Sequence, residues 1–452
     1  MIRPQDHRSI LAEQKLPDSP HRIVIVGGGA GGLELAARLG KDLGRRGTAE
    51  IVLVDPQPVH VWKPLLHEMA AGTLSPDERG LDFLQQARRH HFRFYLGALT
   101  GLDRGQKRIK LAPLRDDAGE EIAPARTLWY DTLVIAVGGQ DNDFGIRGVA
   151  EHTIPLNRPH DARQFHRKLL NRIARTEILD LGPVRITIVG GGATGVELAA
   201  ELADASREIA TYGTRLGSYP DAVKLHVIES GPRLLSSLPE FISEKAEQDL
   251  TAKGVVVLIA RNVTEVRADA VVVSNGKASE LIPSDLIVWA AGIRGPDLLA
   301  RLDGLECNRL NQLIIRPTLQ TTRDDDIFAI GDCTSLVTST EGHSVPPTAQ
   351  AAHQEAILLA RSLARRLQGG TPLPFSFHER GSLISLGPKE AVGDVVEKSR
   401  GRVLEVQGVL ARFSYWLLYR RRLATLVGLK KTLLAIVGSW FTDRAAPRVK
   451  LH

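Results

Sequence analysis

Along the chain, short runs of β-branched and aliphatic residues repeatedly end at glycine and are followed by apolar positions at helical spacing. Residues 23–26 form such a run and stop at Gly27. Residues 33–39 then carry the helical pattern, and residues 51–54 form a second buried strand ending on Asp55. The whole pattern recurs: a strand at 184–189, a helix opening at 196–202, and a strand at 225–228 ending on Glu229. Further buried runs lead into glycine turns: 130–137 into Gly138, 286–291 into Gly292, and 322–330 into Gly331 and Asp332. Residues 96–111 alternate as strands. After Pro346 and Pro347, Thr348 is an N-cap for a helix starting at Ala349.

Each strand–helix junction carries a glycine triplet, Gly27, Gly29 and Gly32 in the first copy and Gly190, Gly192 and Gly195 in the second. The first glycine of such a triplet permits a tight turn, the second lets backbone approach a pyrophosphate, and the third lets helix and strand pack closely. The helix N-terminus adds free N–H groups and a positive dipole end. Asp55 and Glu229 are then acceptors for ribose hydroxyls. The fold class is therefore α/β, with two Rossmann-like, dinucleotide-binding domains of the FAD/NAD-linked reductase type. Two such domains suggest two dinucleotides and electron transfer between them. A strand ending in Gly331-Asp332 is the second signature of flavoproteins with this architecture, its aspartate lying on the ribityl chain. It assigns FAD to the first unit and NADH to the second.

The expected domains are a flexible tail (1–20), an FAD domain in two parts (21–155 and 301–370), an NADH domain (156–300) and a C-terminal region (371–452). The second unit is longer, with 39 positions from Gly190 to Glu229 against 28 from Gly27 to Asp55, so a longer helix or an extra loop at 212–220 is expected. Glu229 repels a 2′-phosphate and favours NADH over NADPH; Arg233, four residues on, argues the other way. Glu197 is read either as an acid favoured by the helix dipole or as a polar group beside the nicotinamide. Gln350 and Gln354 share one helix face, as amides for a quinone carbonyl or simply as good helix residues. That helix N-terminus also suits the flavin pyrimidine. Trp62, Lys63 and His67 lie in an irregular segment, as flavin contacts or as a solvated loop.

At 452 residues the chain needs two or three domains, and its composition is globular. The only cysteines are Cys307 and Cys333, too few and too far apart for a disulfide framework, a redox pair or a zinc site. No metal is expected. The polar first twenty residues read as a frayed tail and not as a signal peptide, and no apolar run is long enough for a transmembrane helix. The net charge of +6 is uneven: residues 401–452 hold ten Lys/Arg against Glu405 and Asp443, or +8, leaving about −2 on the rest. Within 410–443, Leu426, Leu429, Leu433, Ile436, Val437 and Trp440 form an apolar stripe. Aromatic residues there flank Arg420, Arg421 and Arg422, and Lys430 and Lys431. This describes amphipathic helices lying on an anionic membrane surface. A nucleic-acid partner would not need so many large apolar residues.

The motifs GGGAGG (27–32), VWKPLLHE (61–68), YDTLVIAVGG (130–139), GGGATGVELAAEL (190–202), VWAAGI (288–293), AIGDC (329–333) and PPTAQAAHQ (346–354) together resemble the type II NADH:quinone oxidoreductases, the single-subunit, non-pumping NADH dehydrogenases of bacterial respiratory chains. The resemblance covers almost the whole chain after the tail. It implies non-covalent FAD, NADH as donor, ubiquinone or menaquinone as acceptor, and a peripheral place on the cytoplasmic face of the inner membrane. It makes Gln350 and Gln354 quinone-site residues and puts Glu197 near the nicotinamide–flavin junction. Arg380 stands where the family often has a lysine near the flavin. A homodimer is left open. The rival readings are a soluble NADH oxidase or ferredoxin-type reductase, and a redox-sensing scaffold with a basic tail.

Overall fold

Two five-stranded parallel sheets that share the order of four adjacent strands organise the molecule. The computed structural model describes residues 11–12, 15, 17–74, 80–116, 118–211, 223–336, 345–388, 390–396, 403–430, 432–434, 436 and 438. The chain separates into two compact units, one of residues 1–60, 80–140 and 293–378 and one of residues 61–79, 141–292 and 379–452. The irregular segment after His60 thus groups with the second unit. The strands that position the sites are, in chain order, β1 (Leu11–Ala12), β2 (His21–Val26), β3 (Ala49–Asp55), β4 (Thr132–Ile135), β5 (Val184–Val189), β6 (Val223–Ile228), β7 (Leu286–Trp289) and β8 (Ile327–Ala329). The helices are α1 (Ala30–Leu39), α2 (Leu66–Ala71), α3 (Ala193–Thr211), α4 (Ala349–Arg366) and α5 (Gly408–Val427).

In the first unit the sheet order is β8, β4, β2, β3 and Arg93–Leu96, all parallel. Both faces of β2 are covered, which is why Ile23 to Val26 is an unbroken apolar run and not an alternating one. A second, four-stranded sheet in this unit gains its edge from the N-terminus, where β1 pairs parallel to Arg126–Trp129. Lys15 Nζ reaches Asp131 Oδ1 at 2.6 Å and lies 5.1 Å over the Trp129 ring. The expected flexible tail is therefore corrected at residues 11, 12 and 15: a strand pairing holds the first two, and an ion pair and a cation–π contact hold Lys15. Residues 1–10 lie outside the described residues.

In the second unit the order is Ile154–Pro155, β7, β5, β6 and Val256–Leu258, again all parallel; the last four repeat the order of the first unit, while the edge strand beside β7 comes from the start of the unit and not from its end. Its core joins Ile186 and Ile188 of β5 to Leu198 and Leu202 of α3 and Val227 of β6. Truncating a side chain such as Ile188 to alanine there costs about 2–5 kcal/mol. The expected longer helix is present, α3 having 19 residues against ten in α1; the expected loop at 212–220 lies outside the described residues. The runs expected at 130–137, 286–291 and 322–330 are the shorter strands β4, β7 and β8: the last residues of each leave the ladder at the glycine turn, and residues 130–131 and 322–326 precede the strand.

Helix α5 packs onto a three-stranded antiparallel meander of Leu383–Ser385, Ala391–Val396 and Val403–Gln407. It ends at Val427, and Gly428 with φ +79° breaks the helix, so the expected stripe from Leu426 to Trp440 is not continuous. Leu426 is buried and Arg420 is only 7% exposed, its guanidinium 5.4 Å over the Trp416 ring. Neither belongs to an outer face. The exposed row is instead Val409, Leu410, Phe413, Trp416, Leu417 and Leu418, continued by Leu429, Leu433 and Leu434. Val437, Trp440 and the side chains of Arg421, Arg422 and Lys431 lie outside the described residues. Among the described residues, no helix is long and apolar enough to cross a membrane.

Candidate functional site

In the first unit the turn after β2 is shaped by what its glycines lack. Gly27 has φ +105°, and a Cβ there would meet Ala136 O at 2.2 Å; a Cβ on Gly32 would meet Gly27 O at 1.8 Å. Gly29 has nothing within 4 Å of the same position. Packing thus demands the first and third glycines, while the second opens onto space at the N-terminus of α1, where a pyrophosphate fits. Asp55 closes the turn: its Oδ2 accepts from Gly28 N at 2.6 Å and its Oδ1 from Gln57 N at 2.8 Å. The Phe83 ring backs Gly28, and His60 Nδ1 donates to Gly28 O at 2.8 Å.

The other residues expected to hold FAD converge on this edge. A Cβ on Gly31 would touch Ile330 and Ala352, and one on Gly139 would lie 3.2 Å from Asp332 Cβ. Gly138 follows β4, and Gly331 follows β8 with its N–H donated to Glu355 Oε2 at 2.6 Å. Burial pushes the Glu355 carboxyl up to about 7. Thr348 caps α4, accepting from Ala351 N at 3.2 Å, so Ala349 is its first residue. Gln350 is half-buried on the next position. Gln354 is buried, its Nε2 donating to His378 O at 2.8 Å and its Oε1 accepting from His378 N at 3.1 Å. That amide braces the main chain of the 375–378 segment, a function its helical spacing did not reveal.

The second unit repeats the cradle. Gly190 has φ +115°, a Cβ on Gly195 would meet Gly190 O at 1.9 Å, and Gly192 again faces open space. Glu229 Oε2 accepts from Gly191 N and Oε1 from Gly231 N, both at 2.7 Å. Arg233, the residue that argued for NADPH, is committed elsewhere. Its guanidinium donates to the carbonyls of Ser236 and Leu238 at 2.8 Å and of Leu235 at 3.3 Å, closing the loop after β6. Gly292, with φ +67°, turns the chain after β7.

Glu197 lies elsewhere in this unit, on the first turns of α3, in a pocket that distant segments assemble. Its Oε1 accepts from Ser385 N at 3.0 Å, and its Oε2 is 3.5 Å from His67 Nδ1 of α2. From α5, Arg412 donates to Ser385 Oγ at 3.1 Å and Tyr415 OH donates to Pro64 O at 3.3 Å. Thr73 donates to Glu201 Oε1 at 2.7 Å. Burial pushes Glu197 up to about 8, with Glu68 adding and the Ser385 N–H and Arg412 opposing. Burial pushes His67 down to about 3. At neutral pH the two are close enough for an ion pair, yet the carboxyl is protonated and the imidazole neutral. Burial and then Glu197 push the Tyr415 phenol well above its usual value.

Two expected site residues fall apart from these groups. Lys63 opens a short turn, Lys63–Leu65, and acts on Asp141, a carboxyl that burial pushes up to about 6. Arg380 is exposed, its carbonyl accepting from Val396 N at 3.3 Å. Cys307 and Cys333 are free thiols, and burial pushes Cys333 up to about 12. Sequence reasoning missed Arg412, Tyr415 and Ser385 as companions of Glu197, and no local signal marks them.

The profile of the pyridine nucleotide-disulphide oxidoreductase family matches residues 21–356. The chain is 40% identical over 447 residues to the type II NADH:quinone oxidoreductase of Haemophilus influenzae, covering 95% of this chain and 99% of that one. It is 32% identical over 378 residues to the demethylphylloquinone reductase of Synechocystis, covering 83% and 87%. Among solved structures it is similar to NDH2 from Plasmodium falciparum in complex with NADH, with TM-score 0.80, 19% identity, and 95% and 100% of the two chains covered.

Proposed function

The chain belongs to the type II NADH:quinone oxidoreductases, and we propose on that footing that its first unit holds FAD, its second holds NADH, and the electrons pass to a membrane quinone without proton pumping. The observation that carries this reading is the duplicated cradle: an open second glycine beside a carboxylate fixed by the N–H of the glycine before it, once in each unit. FAD, the family cofactor, supplies a hydride acceptor that returns two electrons singly or together.

The protein's own residues bind, orient and hold protons. In the first unit the glycine turn and α1 take the pyrophosphate, Asp55 a ribose, and Asp332 the ribityl chain. In the second, Glu229 takes the adenosine ribose and, with Arg233 tied to carbonyls, leaves no cation from that loop for a 2′-phosphate; NADH is the donor. Glu197, protonated at neutral pH in a pocket free of a competing imidazolium, holds a proton that quinol formation consumes. Gln350 contacts the quinone, and Gln354 positions the segment leading to Arg380.

The outer row of α5 supports attachment to a membrane surface, which the family resemblance implies is the cytoplasmic face. Phe413 and Trp416 stack with centroids 5.8 Å apart on an exposed apolar surface, a pair suited to the headgroup boundary. Anaerobic titration tests the reaction: NADH should bleach the flavin stoichiometrically and a soluble quinone should restore it. Restoration by ferredoxin or oxygen but not by quinone would overturn the reading.

A further inference from the structure

Phe144 combines three properties that packing does not require. Its ring is 58% exposed, its φ is +51°, and it lies directly against a glycine of the NADH unit. A Cβ on Gly292 would lie 2.5 Å from Phe144 Cζ, so only glycine admits the ring there. The loop that carries the ring is bolted to the same strand end. The buried Trp289 at the close of β7 donates from Nε1 to Asn142 O at 2.8 Å, and Phe144 N donates to Asn142 Oδ1 at 3.0 Å. Gly145 N donates to Asp143 Oδ1 at 3.0 Å. A left-handed backbone at a bulky residue costs about 1–3 kcal/mol. Here that cost is met to hold an apolar face toward solvent.

The strand order says what this face meets. A dinucleotide lies across the carboxyl ends of the strands with its phosphates at the glycine turn. Gly190 adjoins Ala290, since a Cβ there would lie 2.6 Å from Ala290 O, so the turn after β7 borders the glycine turn. β5 has β6 on one side and β7 on the other. Glu229 ends β6 and takes the adenosine ribose, which sends the other half of the molecule over the end of β7. Gly292 and Phe144 are there.

We infer that Phe144 is a binding residue for the nicotinamide half of NADH, its exposed ring packing on the planar pyridine while Gly292 keeps the approach clear. The inference rests on the second unit's being the NADH site. Aromatic stacking of this kind contributes about 0.5–1.5 kcal/mol beyond area burial.

The test compares two ligands on the FAD-loaded full chain: NAD+, and ADP-ribose, which lacks only the nicotinamide. Phe144→Ala should weaken NAD+ about tenfold, the upper end of that stacking range, and leave ADP-ribose unchanged. Phe144→Tyr should restore NAD+. Phe144→Leu, which keeps an apolar side chain over Gly292, should show the same split as alanine and guards against a rearranged loop. Equal weakening of both ligands, or of neither, overturns the assignment. Glu229→Gln separates the two levels. If it alters ADP-ribose affinity while Phe144→Ala alters nothing, the NADH site stands and Phe144 is not part of it. If neither variant alters either ligand, the reading of the second unit falls with it.

Discussion

Glu34 and Glu197 occupy the same place in the two halves of the molecule, seven residues after the first glycine of each turn, and both are buried. One helical turn later the halves part. In the first unit that position is Arg38, whose Nε donates to Glu34 Oε1 at 2.6 Å. In the second it is Glu201, a second acid, and Glu197 has a backbone N–H, a neutral imidazole and the Arg412 charge, which together do not offset its burial. An ionised carboxylate without a directly paired counter-charge is costly to bury, so it keeps its proton instead. The same backbone thus carries an ion pair in one half and a buried, protonated acid in the other. The choice is made by a single i+4 residue.

The glycine turns should show the largest effects. Gly32→Ala and Gly195→Ala place a Cβ within 1.8 and 1.9 Å of a carbonyl oxygen. Forcing backbone apart in this way costs about 1–3 kcal/mol or more. Gly32→Ala should yield protein depleted of FAD. Gly195→Ala should keep FAD, read by its absorbance, yet bleach poorly with NADH. Equal flavin loss in both would erase the division of labour.

Next in size is the glutamate pair. Glu197→Gln mimics the protonated acid but cannot release a proton, so NADH bleaching should persist while reoxidation by quinone slows about 10²–10⁴-fold, the usual span for a lost general acid. Glu34→Gln should lower the melting temperature and leave both half-reactions intact. The pH dependence has a definite sign. Raised from 4.5 to about 8, Glu197 costs the fold nothing below 4.5, where both states are protonated, and progressively more up to about 8. Melting curves across that window should flatten in Glu197→Gln; an unchanged slope would place the proton elsewhere.

The smallest expected effect is on donor choice. Glu229→Gln removes a charge near the 2′ position and should improve NADPH relative to NADH about tenfold in kcat/KM, a change of about 1.4 kcal/mol. Arg233→Ala should leave that ratio alone because its guanidinium already serves three carbonyls. A fall in NADPH use in this variant would reverse the conclusion.

The duplicated fold was legible because glycine turns and strand-end acids are local: strand, triplet, helix and carboxylate fall within residues 21–55 in one copy and 184–229 in the other. The Glu197 pocket was not. His67, Ser385, Arg412 and Tyr415 reach it from segments more than 120 residues away, and no periodicity encodes that meeting. Gln354 illustrates a different limit. Its i+4 relation to Gln350 placed both on one face, but only the fold shows that the His378 backbone claims its amide. The C-terminal stripe departs at Leu426 for a third reason, since a helical wheel drawn through Gly428 ignores that glycine's positive φ, which separates Leu426 from Leu429 and Leu433.

Helix α5 has consequences for anyone who would engineer the protein. One side of it is the greasy row from Val409 to Leu418; the other carries Arg412 and Tyr415 into the Glu197 pocket. Cutting the helix away to obtain a detergent-free preparation would take the pocket's roof with it, leaving the buried acid open to water and its proton affinity reset. Solubility is better sought by repainting than by trimming. Polar replacements at Phe413, Trp416 and Leu417 strip the adhesive side and leave the inner side in place. A single helix here is both the exposed apolar row and the pocket's ceiling, and the two can be separated only one side chain at a time.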